Sequence, residues 1–165
     1  MNKLNELIGN TPLVEVQNIF QKDGVKLYGK LEGNNPGGSV KDRAAYGMIS
    51  GAIERGDVKA GDKLVEATSG NTGIALAMIA QIFGLKMTLI MPESATRERV
   101  LTMKAYGAEV ILTPADKTIE YSRKLAQDMS EEQIIICLIS LPILITMGCT
   151  IAPLAPKSGE IPSRQ

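Results

Sequence analysis

The chain has 165 residues, 18 basic and 18 acidic side chains, two cysteines, and neither histidine nor tryptophan. That length holds one domain or one and a half with a full core, and a formal charge of zero leaves no basic stripe for nucleic acid. Without histidine, Ser-His and Cys-His triads and nearly every zinc site are excluded. The chemistry therefore falls to Lys, Asp, Glu, Tyr, Ser, Thr, backbone amides or a borrowed cofactor.

In chain order, Thr11-Pro-Leu-Val-Glu-Val-Gln17 alternates apolar and polar residues as a half-buried strand does. Val25–Leu31 repeats the pattern after the turn signal Asp23-Gly24, so the two predict a hairpin. Glu32-Gly-Asn-Asn-Pro-Gly-Gly38 is rich in breakers and predicts a loop. Ser39 then fits the N-cap of a helix running to about Arg55 and ended by Gly56. A regular rhythm follows: strand Lys63–Ala67, helix Asn71–Phe83, strand Lys86–Met91, helix Thr96–Tyr106, strand Ala108–Thr113, helix Asp116–Met129. Short strands alternating with helices of ten to fourteen residues predict βαβ units around a parallel sheet, an α/β fold. Ligands in such folds sit where the carboxyl ends of strands lead into helices.

Two stretches carry candidate chemistry. In Val65-Glu-Ala-Thr-Ser-Gly-Asn-Thr-Gly73 a strand runs into small hydroxylated and glycine residues, and a helix opens at once. Backbone amides, the hydroxyls of Thr68, Ser69 and Thr72 and the helix dipole would together make an anion site. The spacing is neither the Walker pattern nor G-x-G-x-x-G, so no nucleotide is implied. The plainer reading is a strand-to-helix turn capped by Asn71. In Ser39-Val-Lys-Asp-Arg43, Lys41 lies in the first turn of its helix, where the dipole disfavours an ammonium, and a free amine is the nucleophile that forms a Schiff base. The plainer reading is a solvated surface lysine, with Asp42 and Arg43 as ordinary first-turn charges.

Composition divides the chain. Residues 1–132 hold 33 of the 36 charged side chains, whereas the remainder holds both cysteines, Cys137 and Cys149, and four of the eight prolines. The body fits a cytoplasmic globule without a disulfide framework. Met1–Gly9 carries Lys3 and Glu6 and has no apolar core, so no secretory signal is expected there.

Ile8-Gly-Asn-Thr-Pro-Leu13, Lys30-Leu-Glu-Gly-Asn-Asn-Pro-Gly-Gly-Ser-Val-Lys-Asp-Arg43 and Glu66-Ala-Thr-Ser-Gly-Asn-Thr-Gly-Ile-Ala-Leu76 strongly resemble the cysteine synthases, pyridoxal-phosphate enzymes of the tryptophan-synthase β fold type. Met91-Pro92, Arg97-Glu-Arg99 and Ala105–Glu109 continue the likeness, which covers about residues 1–132. The Gly-Asn-Asn-Pro and Val-Lys-Asp-Arg variants are closer to the B isozyme, O-acetylserine sulfhydrylase B, than to the A isozyme. The resemblance implies a three-layer αβα domain and an incomplete second one. On that reading, residues 1–38 are a hairpin and loop of the larger domain, 39–132 the small substrate-loop domain, and 133–165 an aberrant apolar tail.

It also implies roles. Lys41 matches the lysine that carries pyridoxal 5′-phosphate and later removes the substrate α-proton. Asn71 matches the asparagine that hydrogen-bonds the cofactor's 3′-oxygen, and Thr68, Ser69, Gly70 and Thr72 match the loop that closes on the substrate α-carboxylate. The implied reaction is a β-replacement in cysteine biosynthesis: O-acetylserine loses acetate and sulfide or thiosulfate adds. Family members are homodimers of roughly twice this length, and their second half holds the cofactor phosphate and faces the pyridine nitrogen. Weak cofactor affinity and negligible turnover are the expectation for the 165 residues alone.

The stretch Ile134–Ala155 is 22 residues without a charge, long enough to span a bilayer but interrupted by Pro142, Gly148 and Pro153. A frameshift explains it better. Read from the third base of the Leu138 codon, the genetic code permits DQFANPDNYGMHYSTTGPEIWRDT, which resembles what cysteine synthases carry at this point. Two other classes of function remain open on the residues. A non-catalytic small-anion-binding α/β module would use the Thr68–Gly73 loop without Lys41, and a tail-anchored membrane protein would be missing from the soluble fraction.

Overall fold

Runs of Val, Ile, Leu and Met in β3, β4 and β5 build a parallel sheet that stays apolar along its length because both of its faces are covered. The computed structural model describes residues 4–16, 24–132 and 136–137. The strands are β1 (Leu13–Glu15), β2 (Tyr28–Lys30), β3 (Lys63–Ala67), β4 (Lys86–Pro92), β5 (Glu109–Thr113) and β6 (Ile136–Cys137). The helices are α1 (Lys41–Glu54), α2 (Asn71–Ile82), α3 (Arg97–Ala105) and α4 (Ile119–Glu132). Short 3-10 turns cover Leu4–Leu7 and Glu32–Asn34.

The main sheet runs β5-β4-β3-β6, with every described pair parallel. β3 and β4 pair from Lys63↔Lys86 to Ala67↔Ile90, and β4 and β5 from Thr88↔Glu109 to Pro92↔Thr113. Strand periodicity then sorts side chains between layers. Leu64, Met87, Leu89 and Met91 pack with Ala45 and Ile49 of α1, Leu76 and Ile79 of α2 and Met103 of α3. Val65, Ala67 and Ile90 turn the other way, onto Ala126 of α4 and Cys137. The result is a three-layer αβα arrangement. α2 lies between the sheet and α1, which is why Ala75–Ala80 are buried around the whole helix rather than along one stripe. Each fully buried Leu or Ile here contributes about 1.5–3 kcal/mol.

Several elements differ from the sequence expectation for physical reasons. The hairpin pairs only Leu13–Glu15 with Tyr28–Lys30 as strands. Bonds from Val16 N–H to the Leu27 carbonyl (2.8 Å) and from Leu31 N–H to the Pro12 carbonyl (2.9 Å) extend it at both ends. α4 starts three residues later than expected, because Pro114–Lys117 forms a turn closed by Lys117 N–H to the Pro114 carbonyl at 3.0 Å. β6 falls in the stretch assigned to an aberrant tail, yet Ile136 and Cys137 pair with Leu64 and Val65 of β3. The rest of that apolar stretch, the proposed change of frame after Cys137 and the hairpin tip at residues 17–23 lie outside the described residues. Among the described residues no helix is long and apolar enough to cross a membrane.

Candidate active site

The Thr68–Gly73 loop follows from how β3 ends. Thr68 N–H still reaches the Ile90 carbonyl (3.1 Å), so the chain leaves the sheet as though β3 were one residue longer, and Thr68, Ser69 and Gly70 then turn into α2. Gly70, in extended conformation, is the N-cap; Asn71 is the first helical residue and is exposed, not the cap that the plainer reading made it. Among the described residues no side chain caps α2; the Gly73 N–H is taken by the Gly70 carbonyl (3.0 Å), which leaves the Asn71 and Thr72 amides available to an anion. A Cβ placed on Gly70 would meet nothing within 4 Å, so the loop faces open space, whereas at Gly73 it would stand 2.7 Å from Met103 Cε and 3.2 Å from Thr68 Cγ2. Gly73 is thus where the helix closes down on Met103 and on the loop itself.

Lys41 opens α1. Val40, not Ser39 as the sequence suggests, is the N-cap of α1 and gives no side-chain capping bond; Ser39, one residue earlier, accepts the Lys41 N–H on its Oγ at 3.1 Å. The Lys41 side chain is exposed, and among the described residues its ammonium has no acceptor. α1 and α2 pack together, and each runs against the direction of β3. At the far end, Gly61 N–H in the link from α1 to β3 bonds the Gly84 carbonyl behind α2 (2.9 Å). The starts of both helices therefore lie at the carboxyl end of the sheet, and Lys41 and the Thr68–Thr72 loop share one edge of the fold. A shallow cleft of about 580 Å³ lies elsewhere, between Leu4–Leu7 and Asn34–Pro36, and none of the predicted site residues lines it.

Asp42 and Arg43 are not the solvated first-turn charges of the plainer reading. The Arg43 guanidinium grips Glu32 with two nitrogens, Nε to Oε2 at 2.8 Å and Nη2 to Oε1 at 3.0 Å. Thr11 Oγ1 donates to Glu32 Oε1 (2.7 Å), and Asn35 Nδ2 donates to Glu32 Oε2 (2.9 Å). Asn35 Oδ1 in turn accepts the Gly9 N–H at 2.8 Å. This arrangement holds the Glu32 carboxyl well below its ordinary 4.5, at about 2, chiefly through the Arg43 hydrogen bonds. Asp42 is fully buried. Its Oδ2 accepts the Gly37 N–H at 2.5 Å, while Oδ1 has no partner among the described residues. Burial pushes this carboxyl upward. The only hint in the sequence was spacing: an acidic residue at the second helical position, behind two glycines whose amides can reach back to it.

The residues present fit a pyridoxal-phosphate cofactor on two structural grounds, a lysine amine without a competing acceptor and an uncapped helix start facing open space. When bound, that cofactor supplies an electron sink. Comparison with known proteins agrees. Residues 4–152 match the family model of pyridoxal-phosphate dependent enzymes. The chain is 56% identical over 131 residues to cysteine synthase B of Salmonella typhimurium, covering 79% of this chain and 43% of that protein. It is 53% identical over 127 residues to cysteine synthase B of Pseudomonas syringae pv. syringae, covering 77% and 75%. The crystal structure of cysteine synthase from Entamoeba histolytica superposes with a TM-score of 0.78 at 37% identity, over 84% of this chain and 43% of that one. The chain spans about 43% of the length of the first curated relatives it matches. With the family model matched over residues 4–152 and a curated relative covered over 75% of its length, the chain belongs to the pyridoxal-phosphate dependent enzymes and, among them, to the cysteine synthases.

Proposed function

We propose that these residues form the lysine-and-loop half of a cytoplasmic cysteine synthase, which exchanges the acetate of O-acetylserine for sulfide or thiosulfate. The observation that carries this reading is the shared edge: an unpartnered Lys41 amine and the uncapped Thr68–Gly73 turn at the carboxyl end of one parallel sheet. Lys41 would hold the cofactor and move the substrate α-proton at its Nζ. Asn71, exposed at the first position of α2, would donate to the cofactor's 3′-oxygen. Thr68, Ser69, Gly70 and Thr72 would bind and orient the substrate α-carboxylate, assisted by the helix dipole. A homodimer of 1–38, 39–132 and further chain belongs to the same reading.

The test is covalent trapping. The 165-residue chain is mixed with a high concentration of pyridoxal phosphate, reduced with borohydride and mapped by mass spectrometry. The expected outcome is a phosphopyridoxyl group on Lys41 in clear excess over Lys59, Lys86 and Lys104. Lys41→Ala should abolish the site-specific label. If label spreads over the surface lysines without preference for Lys41, the cofactor assignment is wrong. A carboxylate that stabilises Lys41→Ala as well as the unmodified chain would then favour the non-catalytic anion-binding module.

A further inference from the structure

Lys41 lies between Ser39, which holds its backbone, and Asp42 and Arg43, which reach other segments. Ser39 Oγ holds the Lys41 N–H from before, Asp42 reaches back to Gly37, and Arg43 reaches Glu32 and, at 3.3 Å, Thr11 Oγ1. Backbone bonds tighten the same turn, from Asp42 N–H to the Ser39 carbonyl (3.3 Å) and from Arg43 N–H to the Val40 carbonyl (3.2 Å). Two close approaches show how specific the fit is. A Cβ on Gly37 would stand 2.5 Å from Asp42 Oδ1, and one on Gly9 would stand 2.9 Å from Arg43 Nη1. The Glu32–Arg43 pair is bidentate and half-buried, a geometry in which an ion pair fixes orientation as well as adding energy. Lys41 has a bound backbone and, among the described residues, a polar side chain without a partner.

From this we infer that Glu32, Asp42 and Arg43 are positioning residues that clamp the first turn of α1, so that Lys41 offers its amine from an immobile backbone. The consequence for the cofactor rests on the reading of Lys41 given above; the clamping itself does not. A side chain with four rotatable bonds finds one productive geometry more often when its Cα is fixed, which is the gain expected of preorganisation.

The test compares the full chain with Glu32→Gln, Asp42→Ala and Asp42→Asn. Two measurements are made: amide hydrogen exchange at Gly37, Lys41 and Asp42, and pyridoxal-phosphate trapping at Lys41 with Lys59 and Lys86 as references in the same sample. Glu32→Gln and Asp42→Ala are expected to speed exchange in this turn at least about tenfold and to slow Lys41 labelling at least about threefold, with the references unchanged. Asp42→Asn keeps an oxygen for the Gly37 N–H and should restore both readouts. Global destabilisation would instead move the reference lysines and the core amides together with this turn. Faster exchange with unchanged Lys41 labelling overturns the positioning role, and unchanged exchange overturns the clamp. If the unmodified chain never labels Lys41, the cofactor assignment fails on its own, and exchange still decides whether the clamp exists.

Discussion

Glu32 and Asp42 are two carboxylates ten residues apart on one small piece of structure, with opposite electrostatic fates. Glu32, gripped by Arg43, titrates at about 2 rather than 4.5. A depressed folded-state value contributes stability above the unfolded pKa and loses it as pH falls through the folded one. Acid titration should therefore weaken the fold between about pH 4.5 and about pH 2, and Glu32→Gln should flatten that part of the stability curve in urea unfolding followed by circular dichroism. Asp42 works the other way. Its raised value means that the buried charge costs stability above its folded pKa, a cost relieved as pH falls toward the unfolded value. Asp42→Asn, which removes the charge and keeps the acceptor, should be neutral or stabilising at pH 7 by thermal melting. Gly37→Ala should lower stability by about 1–3 kcal/mol, because its methyl would occupy the space of Asp42 Oδ1. None of this was legible from Asp42 and Arg43 as letters. First-turn charges are usually solvated, and only the fold brings Glu32 within reach of Arg43 eleven residues later.

At the scale of the element, α2 joins the Thr68–Gly73 loop and the core through Gly73. Replacing Gly73 with alanine gains about 1 kcal/mol of helix propensity. It also forces a methyl against fully buried Met103 and against Thr68, an overpacking that costs about 1–3 kcal/mol. The second effect is the larger. Gly73→Ala should lower the midpoint of urea unfolding, and because its methyl would also stand 3.2 Å from Thr68 Cγ2, it should weaken binding of a small carboxylate measured by calorimetry. Elements were legible where punctuation was strong. β3 runs over Lys63–Ala67 as expected, and α1, α2 and α3 end just before Gly56, Gly84 and Gly107. β6 was not legible, because Ile136 and Cys137 sit in an apolar run with no breaker to mark a strand. What selects them is the open side of β3, which is long-range information. The placement of Lys41 and of the hydroxyl-rich loop at helix starts could be read because helix starts are local; the residues that hold them depend on tertiary contact.

Across the whole molecule, β3 is the keel, flanked by β4 and β6 and covered by helices on both faces. Leu64, at 0% exposure on the α1–α2 face, should lose about 2–5 kcal/mol on change to Ala, a large share of the roughly 5–15 kcal/mol that holds a domain together. Leu112, 48% exposed on edge strand β5, should lose about 0.5 kcal/mol or less, and equilibrium unfolding of the two variants side by side checks the contrast. The same keel sets a timetable for birth on the ribosome. β4 emerges soon after β3, but the neighbour on the other flank comes about seventy residues later, several seconds at ordinary rates of synthesis. Throughout that interval one side of a half-built sheet offers unpaired amides and carbonyls to any passing strand. A chaperone that shields extended apolar chain would meet this protein most usefully in that window, before Ile136 and Cys137 arrive to close it.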